Sequence, residues 1–499
     1  MANLLQPSQL EIQKLIQTLN NGQYATAEKH AQTLLKKFSQ VFILHHVLAL
    51  ALDAQQKYSQ SVSSYQNAIK LQPNTPDLYF NLGIALSHSN KFNEAIDAYQ
   101  KAIKLNPKFF EAYGNLGTIY QQQGQLEAAI KHYKHGLTIN PQDARGHYNL
   151  GTALRDQGLL VEAIASYQMA IKLFPNYTDA YNNLGETLRD HGNMQEAVKH
   201  YQMALSLNPD HPNANYNMGE FLYLAKKYDE AVAYFDRAQL DDWQARSMYS
   251  LYKAERFADF KARLDDVISH TPHSSPLIST LATHYAINFN QSNQYNFCKN
   301  ALDYVYQNSI HALATPNSTL LKELLHDIHH ADIAERVQGM LHYGKQSAGN
   351  LFKRPESSFQ QLAKLVLNEF RAYQSKFASA DCALISAFPK KLDFTSSWFV
   401  KMQKGGHLSP HIHEIGWISG AVYLAMPAKN GEEAAFEYGT HGDEYPINPS
   451  KNISDFPTGS IMPNVGDIVL FPSSLFHRTI PFNSNEDRIC IAFDLKPDL

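Results

Sequence analysis

Hydrophobic and small residues recur along this chain with two periods. In the first half the step is 34 residues: Gly83, Gly117, Gly151, Gly185 and Gly219 keep it, as do Ala95, Ala129, Ala163, Ala197 and Ala231. Tyr99, Tyr133, Tyr167, Tyr201 and Phe235 follow in phase, and Pro73, Pro107, Pro141, Pro175 and Pro209 close each unit. This predicts a pair of antiparallel helices per unit: Gly and Ala where the helices cross closely, the aromatic filling the gap, proline starting the turn after the second helix. From Gly405 to Leu495 the period falls to two. Val422, Leu424, Ile468, Leu470, Ile489, Ile491 and Phe493 occupy alternate positions between turns rich in Gly, Pro and Asn, which predicts short strands. Between these regions, "LISTLATHYAINF" and "LLKELLHDIHHADIAERVQGMLHYG" carry helical spacing. A helix is expected over Ser357–Lys376, with Ser357 as N-cap and Leu362, Leu365, Val366, Phe370 and Tyr373 as one apolar stripe. Strands are expected to begin near Cys382, with Lys404-Gly405-Gly406 as a turn delivering His411, and Trp398 and Trp417 as core.

A 34-residue period with Leu-Gly, Ala, Tyr/Phe and Pro at fixed offsets is the tetratricopeptide pattern. Phe42 to Pro73 reads as a degenerate copy, Gln9 to Gln40 as a more divergent one with Ala27 in phase, and Trp243 to Thr271 as a capping unit. The expected domains are a repeat superhelix over 1–240, a helical cap and bridge over 241–345, and a β domain over 346–499. Asn81, Asn115, Asn149, Asn183 and Asn217 precede the Leu/Met-Gly pair in five successive units. Asparagine is a poor helix former, so propensity does not explain the column. Amides at regular rise along a concave groove suit the backbone of an extended peptide, since each both donates and accepts. The alternative is that they bond to the neighbouring helix pair and stabilise stacking.

Charge and cysteine usage narrow the classes. The 499-residue chain has a formal net charge of −4 and no basic block, so neither nucleic acid nor a membrane surface is an expected partner. Cys298, Cys382 and Cys490 are widely spaced and form no CxxC, which fits a reducing compartment. The first residues lack a basic stretch followed by an apolar core, and no run of about 18 apolar residues exists, so a cytoplasmic location is expected.

The candidate chemistry lies among the predicted strands. His411 and His413, at i and i+2, place both rings on one face, and His477, far along the chain, closes the cluster once strands pair. Imidazoles suit Fe, Cu, Ni or Zn, and two or three protein ligands leave coordination positions open. Arg488 lies one strand further on, where its planar fork suits a carboxylate. Two other arrangements compete. His441-Gly442-Asp443 is a literal HxD within a turn-rich loop, and His326 and His330 stand at i, i+4 without a convincing third ligand, which favours a solvated face.

The strings "PHIHEIGWISGAVYL", "GDIVLFPSSLFHRTIPF" and "RICIAFDLKP", with "KQSAGNLF" and "SSWFVKMQKGGH" upstream, resemble the 2-oxoglutarate/Fe(II) oxygenases that carry N-terminal tetratricopeptide repeats. The resemblance covers roughly the last third of the chain. It implies an α+β multidomain protein: an all-α superhelix, a helical bridge and a double-stranded β-helix (jelly-roll) domain. It also implies Fe(II) as cofactor and 2-oxoglutarate as cosubstrate, with His411 as first metal ligand, His477 as distal ligand and Arg488 as anchor of the cosubstrate. The common pattern of the wider oxygenase superfamily is His-x-Asp/Glu, and here the second position is His413. The metal set is therefore either three imidazoles or His411 and His477 with His413 outside. The implied reaction oxidises 2-oxoglutarate to succinate and CO₂ and hydroxylates a substrate C–H bond, the substrate being a protein or peptide brought by the repeats. Two alternatives stay open: an interaction scaffold with an inactive barrel, and a cupin-like metal enzyme acting on a small molecule.

Overall fold

In the computed structural model, residues 6–496 are described, apart from 241, 332, 334, 337, 338, 415 and 429. The chain divides into two compact units, Met1–Met218 and Gly219–Leu499.

The first unit is a succession of antiparallel helix pairs, beginning with Gln9–Asn20 and Tyr24–Leu35 and continuing through Thr178–Asp190 and Met194–Leu207. The repeat signature has a direct steric cause. A Cβ added at Gly83 would lie 2.6 Å from the Tyr99 ring, and one at Gly117 would lie 2.7 Å from that of Tyr133. The in-phase alanines and tyrosines are buried, as close helix crossing requires. The degenerate copy keeps this geometry with substitutes. Ala49 stands in the glycine slot and Ser61 in the alanine slot, where its hydroxyl donates to the Ala49 carbonyl at 3.0 Å.

The second unit opens with helices Tyr228–Ala238, Trp243–Lys253, Phe257–His270 and Pro276–Asn288. A curled antiparallel sheet follows, with strands β1 (Tyr306–Ser309), β2 (Glu335–Arg336), β3 (Leu341–Ser347), β4 (Asp393–His411) and β5 (Ile418–Ala425). It continues with β6 (Phe436–Gly439), β7 (Thr458–Ile461), β8 (Asp467–Pro472), β9 (Phe476–Thr479) and β10 (Arg488–Lys496). The order is β1-β8-β5-β10-β4-β9-β6-β7, with β3 on β4 and β2 on β3. The bridging stretch thus supplies a strand, β1, which caps one sheet edge by pairing with β8.

Four local expectations change. The helical spacing read over "LLKELLHDIHHADIAERVQGMLHYG" holds only for helix Thr319–His330, and the stretch continues into β2 and β3. The first strand of the long C-terminal run starts at Asp393, because Cys382 instead precedes a short helix, Ala383–Ser386, whose amides bond to the carbonyls of Asn296 and Phe297. Lys404-Gly405-Gly406 is no turn: β4 runs through it, with Gly405 at φ +83° absorbing the bend and the β3 register shifting there. Helix Ser357–Lys376 has the expected span, but its N-cap is Glu356, whose carboxylate pairs with Arg354 at 2.6 Å. Its stripe packs on the outer face of the sheet, where Phe370 meets Phe493 at 5.9 Å between ring centroids.

Candidate functional site

β10 shows how the strand pattern builds a site. Ile489, Ile491, Phe493 and Leu495 form one buried face, whereas Arg488, Cys490 and Ala492 line a narrow internal cavity. His411, His413 and His477 line the same cavity, with Trp398, Tyr423 and Phe471. Trp417 is core, as expected: it is 2 % exposed and its indole N–H donates to the Leu384 carbonyl. Trp398 faces the cavity instead, 5.6 Å from His413 between centroids.

His411 and His477 are direct cross-strand partners of β4 and β9, which is why two residues 66 positions apart meet. Among the described residues one cluster of three metal-capable groups exists, His411, His413 and His477, with one ring nitrogen from each within 4.8 Å of the others. All three Nδ1 atoms face oxygen acceptors. His411 Nδ1 lies 2.8 Å from the Ser409 carbonyl, His477 Nδ1 lies 3.2 Å from that of Leu475, and His413 Nδ1 meets Asp494 Oδ1. A ring that donates from Nδ1 leaves the lone pair of Nε2 free. Burial, then the neighbouring imidazoles, lower the His411 pKa to about 4 and hold that of His477 well below its ordinary value, so both rings are neutral at pH 7. Three imidazoles with free Nε2 atoms fit a divalent first-row metal.

Arg488 fits an anion. It is 2 % exposed, Nε donates to the Ala434 carbonyl at 3.3 Å, and Nη1 meets the sulfurs of Met402 and Cys490 at 3.9 and 3.7 Å. Among the described residues no carboxylate pairs with it, and its guanidinium carbon lies 5.1 Å from the Tyr423 ring centre. The Tyr423 hydroxyl is itself buried without a hydrogen-bond partner. A permanently charged fork beside an unsatisfied hydroxyl offers donors to a carboxylate.

Asp494 and Tyr423 were missed at the level of sequence. Tyr423 shares its "AVYLA" string with core residues, and Asp494 sits at the end of an apolar strand, so only strand pairing reveals either. Outside His411 lies a cleft of about 360 Å³, lined by Tyr223, Tyr249, Glu414, Asp443 and Tyr445.

The competing arrangements stand apart. His441 Nδ1 lies 2.9 Å from His284 Nε2, and its ring is tilted against that of Phe456 at 4.9 Å between centroids, outside the triad. His326 and His330 stack at 4.3 Å without a third ligand among the described residues. In the repeats, Asn115 donates to the Tyr99 hydroxyl at 3.4 Å and Asn183 to that of Tyr148 at 3.0 Å. Asn217 is buried and donates to Asn182 Oδ1 and Glu186 Oε1, both at 3.0 Å, while accepting from Arg189. Asn81 and Asn149 are half-buried.

Residues 396–494 match a family model described as "Putative 2OG-Fe(II) oxygenase", a span that contains the three histidines, Arg488 and Asp494. Tetratricopeptide-repeat models match residues 50–87, 88–124, 117–158, 142–210 and 179–246. No curated protein matches the chain significantly. Among solved structures, MamA is 25 % identical, with a TM-score of 0.31 and coverage of 32 % of this chain and 95 % of its own. YrrB, titled a TPR protein with an unusual peptide-binding site, is 21 % identical, with a TM-score of 0.33 and coverage of 37 % and 95 %. The C-terminal part of a TPR repeat-containing protein from Cytophaga hutchinsonii is 17 % identical, with a TM-score of 0.41 and coverage of 48 % and 99 %. Residues 396–494 are a domain of that oxygenase family, on a chain whose N-terminal part is built of tetratricopeptide repeats.

Proposed function

We propose that the chain is a 2-oxoglutarate- and Fe(II)-dependent dioxygenase that hydroxylates a protein or peptide segment recruited by its repeats. One observation carries this reading: three imidazoles with free Nε2 atoms and a buried guanidinium, without a carboxylate partner among the described residues, line a single cavity. His411, His413 and His477 would hold the metal, and Arg488 with the Tyr423 hydroxyl would hold the far carboxylate of 2-oxoglutarate. When bound, Fe(II) with 2-oxoglutarate and O₂ supplies oxidation of an unactivated C–H bond, the cosubstrate leaving as succinate and CO₂.

The chain's own residues supply the remainder. The Nδ1 acceptors of the three histidines fix which nitrogen each ring presents. Phe471 and Phe436, with ring centres 4.5 and 5.7 Å from that of His477, keep water from that side of the site. The cleft of Tyr223, Tyr249, Glu414 and Tyr445 adjoins His411 and is the entrance for the substrate. The proposed role of the repeats is to raise the local concentration of a peptide through a groove that includes Asn81, Asn115, Asn149, Asn183 and Asn217. The amides of Asn115, Asn183 and Asn217 already bond to neighbouring helices, so backbone recognition falls chiefly to Asn81 and Asn149.

The test is an anaerobic Fe(II) titration with and without 2-oxoglutarate. A charge-transfer band that needs both additions, and is lost in Arg488→Ala, supports the assignment. Metal binding with no spectral response to 2-oxoglutarate rejects it in favour of a cupin-like site, and no metal binding at all leaves an interaction scaffold.

A further inference from the structure

We infer that Asp494 is a positioning residue for the metal site: it supplies, one imidazole removed, the carboxylate that a His-x-Asp/Glu pattern would place on the metal. This rests on the proposed assignment of His413 as a ligand. Asp494 is 7 % exposed, inside the sheet on β10. Its cross-strand neighbours are Ser419 on β5 and Ser396 on β4, so the row is polar across three adjacent strands in an otherwise apolar sheet. Its Oδ1 accepts from the Ser419 hydroxyl at 2.7 Å and meets His413 Nδ1, and its Oδ2 accepts from the Ser396 hydroxyl at 2.8 Å. Ser473 extends the row with an Oγ–Oγ distance of 2.7 Å to Ser419. The backbone makes room for this, because a Cβ at Gly416 would lie 2.6 Å from Ser473 Oγ and 3.3 Å from Asp494 Oδ1.

Among the described residues no lysine or arginine pairs with Asp494, and its one charge-capable partner is the His413 ring. A buried carboxylate is costly unless hydrogen-bonded and balanced. Here the hydroxyls hold its orientation, and the balancing charge is the cation bound on the far side of His413. The carboxylate fixes the Nδ1-protonated tautomer, turns Nε2 toward His411 and His477, and raises the ring's basicity as a ligand. The site thereby keeps a carboxylate beside its metal while presenting three imidazole donors.

The probe is Co(II) alone, followed by calorimetry and by its visible d–d band, on the full chain. Partners of metal ligands of this kind are worth about 10- to 100-fold in affinity, and Asp494→Asn should weaken Co(II) binding by that factor with an unchanged far-ultraviolet spectrum. The same change in a His413→Ala background should cost less than about threefold, because coupled residues are non-additive. Equal losses in both backgrounds, or no loss in Asp494→Asn, overturn the inference. If His413→Ala abolishes binding altogether, His413 is an indispensable ligand and the single Asp494→Asn variant decides. Undiminished Co(II) affinity in His411→Ala would instead reject the three-histidine site itself, which separates the two failures.

Discussion

Replacing Arg488 by methionine should make the metal-free protein more stable while abolishing its response to 2-oxoglutarate. A buried ion whose partner has been removed costs about 3–5 kcal/mol. The Tyr423 ring, 5.1 Å from the guanidinium carbon, returns about 2 kcal/mol in a desolvated setting. The difference leaves a penalty of about 1–3 kcal/mol, which an apolar side chain of similar length removes. For a unit of this size that corresponds to a rise in Tm of roughly 2–10 °C. With Mn(II) present and 2-oxoglutarate at 100 times its Kd, the wild type should gain about 2.7 kcal/mol by mass action, and Arg488→Met should gain none. Differential scanning calorimetry under argon, with and without 2-oxoglutarate, measures both quantities. A variant less stable than wild type by more than about 1 kcal/mol would mean the guanidinium is structurally satisfied, and the carboxylate assignment would fail.

Other perturbations have equally definite outcomes. Gly117→Ala gains about 1 kcal/mol of helix propensity but drives a Cβ to 2.7 Å from Tyr133, an overpacking cost of about 3 kcal/mol against a rigid ring, so a net loss of about 2 kcal/mol is expected in urea unfolding. Asn217→Ala should cost about 1–3 kcal/mol, because Glu186 and Arg189 lose a buried partner, whereas Asn81→Ala should leave stability within about 0.5 kcal/mol and weaken peptide binding instead. Burial, then His441 and Lys253, push the His284 pKa down to about 3, below its unfolded value of about 6.5. The folded state then binds fewer protons, so this contribution is complete above about pH 6.5 and declines as the pH falls toward 3. His284→Gln should flatten that acid limb by about 2 kcal/mol between pH 7.5 and 5, read from urea midpoints at the two values.

The repeats were legible because their information is local and redundant. Gly83 and Tyr99, sixteen positions apart, meet inside one helix pair, and the same meeting recurs at each step of 34. The strand face was legible too, since Ile489, Ile491 and Phe493 alternate. The other face of β10 was harder to read. Arg488 stood out by its charge, but Asp494 looked like the end of a core strand until its neighbours Ser396 and Ser419 were known. The glycine pair at Gly405 and Gly406 misled for a related reason. Glycine marks both turns and bends within strands, and only pairing with β3 distinguishes them.

By itself the sequence determined the helical repeats, the β domain and the residue types at its centre, because side-chain period and local sterics act over a few tens of residues. Tertiary structure decided which of the 23 histidines share a cavity, which Nδ1 atoms have acceptors, and that Arg488 lacks a carboxylate partner among the described residues. Those facts arise from strand register. Register aligns His411 with His477 and Asp494 with two serines, residues that no short-range pattern connects.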